Sequence, residues 1–117
     1  MAAQHLEASV RHLPGVSVID LVGEIDGTAE AELNSAYAEA ESRDPAVILL
    51  NFRDMVYMNS TGIALIVSLL ARARKTKRRL VTAGLSDHYV RIFQITRLAD
   101  FMTVYPDEAS ALAQVPA

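Results

Sequence analysis

The spacing of apolar residues near the start of the chain predicts two strands. Leu6, Ala8 and Val10 alternate with polar residues, which is typical of an edge strand. A Pro14-Gly15 turn follows, and the nearly continuous apolar run 16–22 then predicts a strand covered on both faces. We expect these two strands to pair as an antiparallel hairpin.

The spacing becomes helical after Asp26. Asp26 or Thr28 can cap this first helix, and Asp44-Pro45 ends it. Its apolar stripe consists of Leu33, Ala36, Tyr37 and Ala40, and the glutamates at 30, 32, 39 and 41 are expected to face water. The run 46–52 is the clearest strand of the chain. It is too apolar to have a wet face, so it should lie parallel to its partner at the centre of the sheet.

A second helix of about four turns is predicted to begin at residues 59–62, after a loop over 53–58. Its expected buried stripe is Ile63, Ile66, Val67 and Leu70, with the small residues Ala64, Ser68 and Ala71 permitting close packing. Further along, 80–83 is a short strand and Ser86-Asp87 begins a third helix. A last strand is expected over 101–105. Pro106-Asp107-Glu108 should then open a C-terminal helix, with Pro106 at a position where its missing N–H costs nothing.

The predicted order is ββαβαβαβα, which indicates a single α/β domain over residues 1–117 with a mixed, mostly parallel sheet covered by helices. The 117 residues suit one domain, and the 51% apolar content and net charge of −3 fit a folded chain. The absence of cysteine excludes disulfides and thiol chemistry. No signal peptide or membrane-spanning run is visible, so we expect a cytoplasmic protein without membrane association.

Residue patterns that would indicate an enzyme are missing from the sequence. There is no glycine-rich phosphate loop, and the three histidines are scattered, so no metal or cofactor is expected. Glu24 and Asp26 could form an acid/base couple, although charges beside a helix start are more often caps. Asp54 follows a central strand as in response-regulator receivers, but the acidic pair and lysine that such a site needs are absent.

Basic residues are concentrated at the end of the second helix. Six of the eleven Lys and Arg residues fall within 72–79. Such a run could contact nucleic acid, but cations there also complement the negative end of the helix dipole. Because no aromatic residue interleaves the run and the chain is acidic overall, we expect no direct nucleic-acid binding.

One segment stands out as a candidate site. Asn59-Ser60-Thr61-Gly62 places two hydroxyls at the N-terminus of a helix, directly after the loop that leaves the central strand. The simplest interpretation is that Asn59 or Ser60 caps the helix and Gly62 permits close packing. The alternative is that the hydroxyls form part of a binding surface.

Four segments of the chain bear on this choice. They are Gly23-Glu24-Ile25-Asp26, Val47-Ile48-Leu49-Leu50, Tyr57-Met58-Asn59-Ser60-Thr61-Gly62-Ile63 and Arg91-Ile92-Phe93-Gln94-Ile95-Thr96-Arg97-Leu98. In this order they resemble the STAS domain of bacterial anti-sigma factor antagonists, over about residues 16–112.

The resemblance implies partner switching. In that family an anti-sigma factor, itself a serine kinase of the histidine-kinase-like ATPase type, phosphorylates the serine of an Asp-Ser-[Ser/Thr]-Gly motif. The unphosphorylated antagonist binds the anti-sigma factor and frees the sigma factor, and a PP2C-type phosphatase resets the phosphorylated form. Ser60 matches the phosphoacceptor. The implied partner-binding residues are Glu24, Asp26, Asn59, Ser60, Thr61 and Gly62.

Two residues depart from the family pattern. Asn59 replaces the usual aspartate, which preserves capping but removes a carboxylate beside the acceptor. Arg97 stands where glycine is common, so a positive φ there would be mildly strained. Two alternatives therefore remain open: a STAS module with a different partner and no phosphorylation control, and a small enzyme or ligand-binding domain that uses the loop from Glu24 to Asp26.

Overall fold

The structure, a computed structural model, describes residues 5–115. They form a five-stranded sheet with four helices, in the predicted order ββαβαβαβα. The strands are β1 (Glu7–Leu13), β2 (Val16–Ile25), β3 (Val47–Met58), β4 (Arg79–Ala83) and β5 (Val104–Tyr105). The helices are α1 (Glu30–Glu41), α2 (Ser60–Lys75), α3 (Asp87–Ile95) and α4 (Glu108–Ala113), and short 3-10 turns span Gly27–Ala29 and Leu98–Asp100.

The strands lie side by side in sequence order, with β3 at the centre. β1 pairs antiparallel with β2, as predicted, and the other pairs are parallel. Because right-handed crossovers between successive parallel strands all return on one side, α1, α2 and α3 share a face of the sheet. Their core includes Tyr37, Ile66 and Phe93. The other face has a smaller core, in which Ala111 of α4 packs against apolar residues, mostly valines, of β2, β3 and β4.

The prediction of a loop over 53–58 is wrong. β3 continues to Met58 and pairs there with the end of β2. Polar Arg53 and Asp54 interrupt the apolar pattern because they lie beyond the covered part of the sheet, where both are exposed. The last strand is shorter than predicted, because residues 101–103 continue the turn after Leu98–Asp100 and only Val104 and Tyr105 pair with β4.

The predicted buried stripe of α2 is also partly wrong. The buried residues are Gly62, Ile66, Leu69, Leu70 and Ala73. Ile63 is half-buried and Val67 is 42% exposed. Ala64, Ser68 and Ala71, which were expected to permit close packing, face outward. The helix is therefore rotated relative to the prediction, because 66, 69, 70 and 73 form the stripe that contacts the sheet.

The basic run at the end of α2 is partly structural. Arg72 donates to Glu41 at 2.7 Å, and Arg78 donates to Asp44 at 2.9 Å and to the carbonyl of Pro45 at 2.7 Å. These contacts join the end of α1 to the end of α2. The helix α4 opens at Pro106-Asp107-Glu108 as expected: Pro106 precedes the N-cap Asp107, whose side chain accepts from the Ser110 N–H. Within residues 5–115, no helix is long and apolar enough to cross a membrane.

Candidate functional site

The candidate site lies where β2 and β3 extend beyond their outer neighbours. The pairing of β1 ends at Val22, and that of β4 ends at Asn51. The last residues of β2 and β3 therefore form a two-stranded ribbon that leads directly into the start of α2. Two bonds fix its end: Met58 N–H donates to the Tyr89 hydroxyl at 2.9 Å, and Asn59 N–H donates to the Ile25 carbonyl at 3.3 Å.

Gly62 holds the first turn of α2 against this ribbon. A Cβ at residue 62 would lie 2.0 Å from the Ile25 carbonyl oxygen and 2.9 Å from the Met58 side chain. Only a residue without a side chain permits this approach. The expectation that Gly62 allows close packing is confirmed, and the contact places the helix start at the sheet edge.

Asn59 is the N-cap of α2. Its backbone is extended, and its side-chain oxygen accepts the Gly62 N–H at 2.9 Å. Ser60 and Thr61 are the first two helical residues, and both are exposed. The first N–H groups of a helix have no partner inside the helix. The site therefore combines an exposed serine hydroxyl with the positive end of a helix of 16 residues.

Asp26 and Glu24 flank this helix start in different ways. Asp26 accepts from the Thr28 N–H at 2.9 Å and from the Thr28 hydroxyl, and these bonds hold the pKa of Asp26 below its ordinary value. Asp26 thus caps the turn Gly27–Ala29. A Cβ on Gly27 would contact Thr61 at 3.5 Å, which places this turn beside α2. Glu24 is half-buried and lies opposite Tyr57 in the ladder.

Two residues at this edge were not singled out from the sequence. Val56 and Tyr57 are 60% and 49% exposed, although both are large and apolar. The ladder shifts register here, so Val56 has no opposite residue in β2. Such bulges change the direction of side chains at the ends of sheets. The sequence did offer a signal, since Val56 and Tyr57 are consecutive apolar residues within the predicted loop, and solvent-exposed loops seldom contain such a pair.

A cavity of about 850 Å³ lies elsewhere. It opens on the α4 face of the sheet, since its residues Asp20 and Asn51 continue the alternation of Val18 and Leu49. Arg11 there donates to both Asp20 and Glu108. These three charges of the cavity are paired with one another, and Ser60 is not among its lining residues. No group of three or more potential metal ligands occurs within residues 5–115.

The fold and the exposed helix start define a small α/β domain of the kind that presents a surface to another molecule. The family model of the STAS domain matches residues 7–111, and the chain belongs to this family. The anti-sigma-B factor antagonist of Listeria monocytogenes is 30% identical over 86 residues, which make up 74% of this chain and 75% of that protein. The resemblance noted in the sequence is confirmed.

Solved structures of low sequence identity share the fold. An anti-sigma factor antagonist from Mycobacterium paratuberculosis is 21% identical, with a TM-score of 0.83 over 97% of each chain. The Bacillus cell fate determinant SpoIIAA in its phosphorylated form is 22% identical, with a TM-score of 0.72 over 93% of this chain and 99% of that one. These similarities confirm the α/β architecture.

Proposed function

We propose that this chain is an anti-sigma factor antagonist that binds an anti-sigma factor, releases a sigma factor, and is switched off by phosphorylation of Ser60. The observation that carries the proposal is the exposure of Ser60 at the first position of α2. The Listeria relative, named an anti-sigma-B factor antagonist, supports the choice of partner. The expected partners are an anti-sigma factor that is a serine kinase of the histidine-kinase-like ATPase type and a PP2C-type phosphatase, all in the cytoplasm.

The position of Ser60 suits a switch that changes binding more than folding. A phosphate adds nearly two negative charges and three acceptor oxygens. At the N-terminus of α2 it would gain about 0.3–1 kcal/mol from the helix dipole, so the fold tolerates it. Buried against a partner without a matched cation, the same group costs several kcal/mol. Because about 1.4 kcal/mol corresponds to a tenfold change in affinity, phosphorylation weakens binding by a large factor.

The flanking residues strengthen this effect. Glu24 and Asp26 already place two carboxylates in the ribbon and turn beside the helix start. A phosphate on Ser60 therefore adds negative charge to an acidic edge. Where the partner offers no cation to pair with this added charge, the phosphate is desolvated against the partner beside two carboxylates of its own domain, and binding weakens.

Phosphate transfer to Ser60 tests the proposal. Each serine kinase of the histidine-kinase-like type from the same genome is purified and incubated with the protein and ATP, and phosphopeptides are located by mass spectrometry. We expect one phosphate on Ser60, none in Ser60→Ala, and normal transfer in the matched control Ser68→Ala, which removes another exposed hydroxyl of α2. Phosphate on another residue would contradict the assignment.

Asn59 supports a second candidate, a STAS interaction module without phosphorylation control. The amide caps α2 as well as a carboxylate does, but it removes the charge beside the acceptor. Phosphate transfer to the wild type separates the two candidates. Under the leading proposal the wild type is already a substrate, and Asn59→Asp changes only the rate of transfer. Tight binding of the kinase by a wild type that is never phosphorylated would establish the second candidate.

A further inference from the structure

The outward face of α2 continues from Ser60 towards the other end of the helix. The exposed residues Ser60, Ala64, Val67, Ala71 and Arg74 are spaced by four and three positions in turn, so they share one side of the helix. The distance from Ser60 to Arg74 along the axis is about 21 Å at 1.5 Å per residue. Apart from the two ends, this face presents only small or apolar side chains.

The far half of this face borders an apolar groove of about 300 Å³ between α2 and the turn Leu98–Asp100. It is lined by Val67, Leu70, Ala71, Arg74, Leu98 and Phe101. Leu70 and Leu98 are buried, whereas Val67 and Phe101 are 42% and 56% exposed. Two large, partly exposed apolar side chains beside one groove make it a candidate contact surface for another molecule.

Arg74 adds a charge at the rim of the groove. Its guanidinium lies 5.2 Å from the centre of the Phe101 ring. Arg72 and Arg78 of the same basic run form ion pairs, whereas Arg74 has no carboxylate partner within residues 5–115. An apolar groove beside an unpaired cation is complementary to an aliphatic side chain flanked by a carboxylate.

We infer that the groove is a second contact for the same anti-sigma factor that reads Ser60, and that the occupant is an aliphatic side chain next to an Asp or Glu of that partner. The inference rests on the proposed function. A stable interface covers about 800 Å² of each partner, which is more than one helix start supplies. The continuous face of α2 joins Ser60 to the groove, so one docked partner covers both, and the groove supplies affinity that is independent of the phosphate.

Two substitutions on the exposed face of α2 test this inference. Arg74→Glu reverses the charge at the rim, and Ala71→Glu places a carboxylate inside the groove. The affinity of each unphosphorylated variant is measured by calorimetry against the kinase that phosphorylates Ser60 in the assay above. We expect each variant to bind at least tenfold more weakly than the wild type. Circular dichroism and urea unfolding establish that both variants remain folded.

Lys75→Glu is the matched control. It makes the same charge change on the adjacent residue of α2, which is exposed but does not line the groove. We expect its affinity to remain within about threefold of the wild type. Equal losses of affinity for Arg74→Glu and Lys75→Glu would show that the overall charge of α2, and not the groove, determines binding. That result would overturn the inference.

The outcomes separate this inference from the proposed function. If no such kinase binds or phosphorylates the wild type, the proposed function fails and the groove loses its assigned occupant. If the wild type binds and is phosphorylated at Ser60 while Arg74→Glu and Ala71→Glu bind equally well, only the groove contact is wrong. A wild-type dimer that Ala71→Glu dissociates in sedimentation, with kinase affinity unchanged, would assign the groove to a second copy of this chain instead.

Discussion

Gly62 is the residue on which the geometry of the site depends most directly. Replacing it with alanine forces a methyl group against the Ile25 carbonyl, a backbone atom that cannot turn aside. We expect Gly62→Ala to lower the free energy of unfolding by roughly 2–3 kcal/mol, measured by urea denaturation.

Gly27→Ala provides the comparison for Gly62→Ala. Its added methyl would meet only Thr61, at an ordinary 3.5 Å, so a change within about 0.5 kcal/mol is expected. Similar losses for both variants would mean that the approach to Ile25 is not what requires glycine at residue 62.

Arg97 is strained in the way that the sequence suggested. Its φ of 68° lies in the left-handed region, which side chains other than glycine adopt at a cost of about 1–2 kcal/mol. Its ion pair with Asp100 is exposed and contributes little. We expect Arg97→Gly to raise the free energy of unfolding by about 0.5–1 kcal/mol, after the greater flexibility of glycine in the unfolded chain is subtracted. An equal rise in the free energy of unfolding for Arg97→Ala would refute the explanation by backbone strain.

Single residues also show where sequence reasoning succeeds. Local rules predicted a cap at Asn59 or Ser60, because capping depends on neighbours within a few positions. The strain at Arg97 was predicted from the family pattern, and the close packing at Gly62 from the absence of a side chain. The rules missed Val56 and Tyr57, whose exposure depends on how far β2 and β3 extend together. That extension is a tertiary property, and no local pattern specifies it.

Among the elements, the strands were predicted more reliably than the face of α2. The apolar runs of β2 and β3 are long and nearly uninterrupted, so their burial follows from composition. In α2 apolar residues surround most of the helix, and two different stripes fit a spacing of 3.6 residues. Contacts with the sheet select 66, 69, 70 and 73, which leaves Val67 outside.

The attachment of α4 to the sheet makes stability depend on pH. Arg11 joins Asp20 of β2 to Glu108 of α4, and its hydrogen bonds hold the pKa of Asp20 below the ordinary value of 3.8. A lowered carboxyl pKa stabilises the fold above the ordinary value, and that stability is lost as the pH falls below it. We expect the free energy of unfolding in urea to be smaller at pH 3 than at pH 6.

Arg11→Met should reduce this difference between pH 6 and pH 3 without abolishing it. The lowered pKa values of Asp26 and Asp107 arise from bonds to Thr28 and Ser110, which the substitution leaves intact. An unchanged pH dependence in Arg11→Met would show that Asp20 contributes nothing to it.

For the whole molecule, the expected switch leaves the fold intact. Ser60 is exposed, and its phosphate would lie at the favourable end of α2. We expect phosphorylation to change the free energy of unfolding by less than about 1 kcal/mol, and amide chemical shifts to change only around the start of α2. A decrease in the free energy of unfolding larger than about 2 kcal/mol would mean that the phosphate acts by destabilising the fold.

The contact between Gly62 and the Ile25 carbonyl limits how phosphorylation of Ser60 could affect the structure. With no gap between helix and sheet, the first turn of α2 has no room to shift in response to a modification. Under the proposed function, phosphorylation would change the charge of this surface while the helix stays in place. Any movement during partner exchange would then occur in the partner proteins.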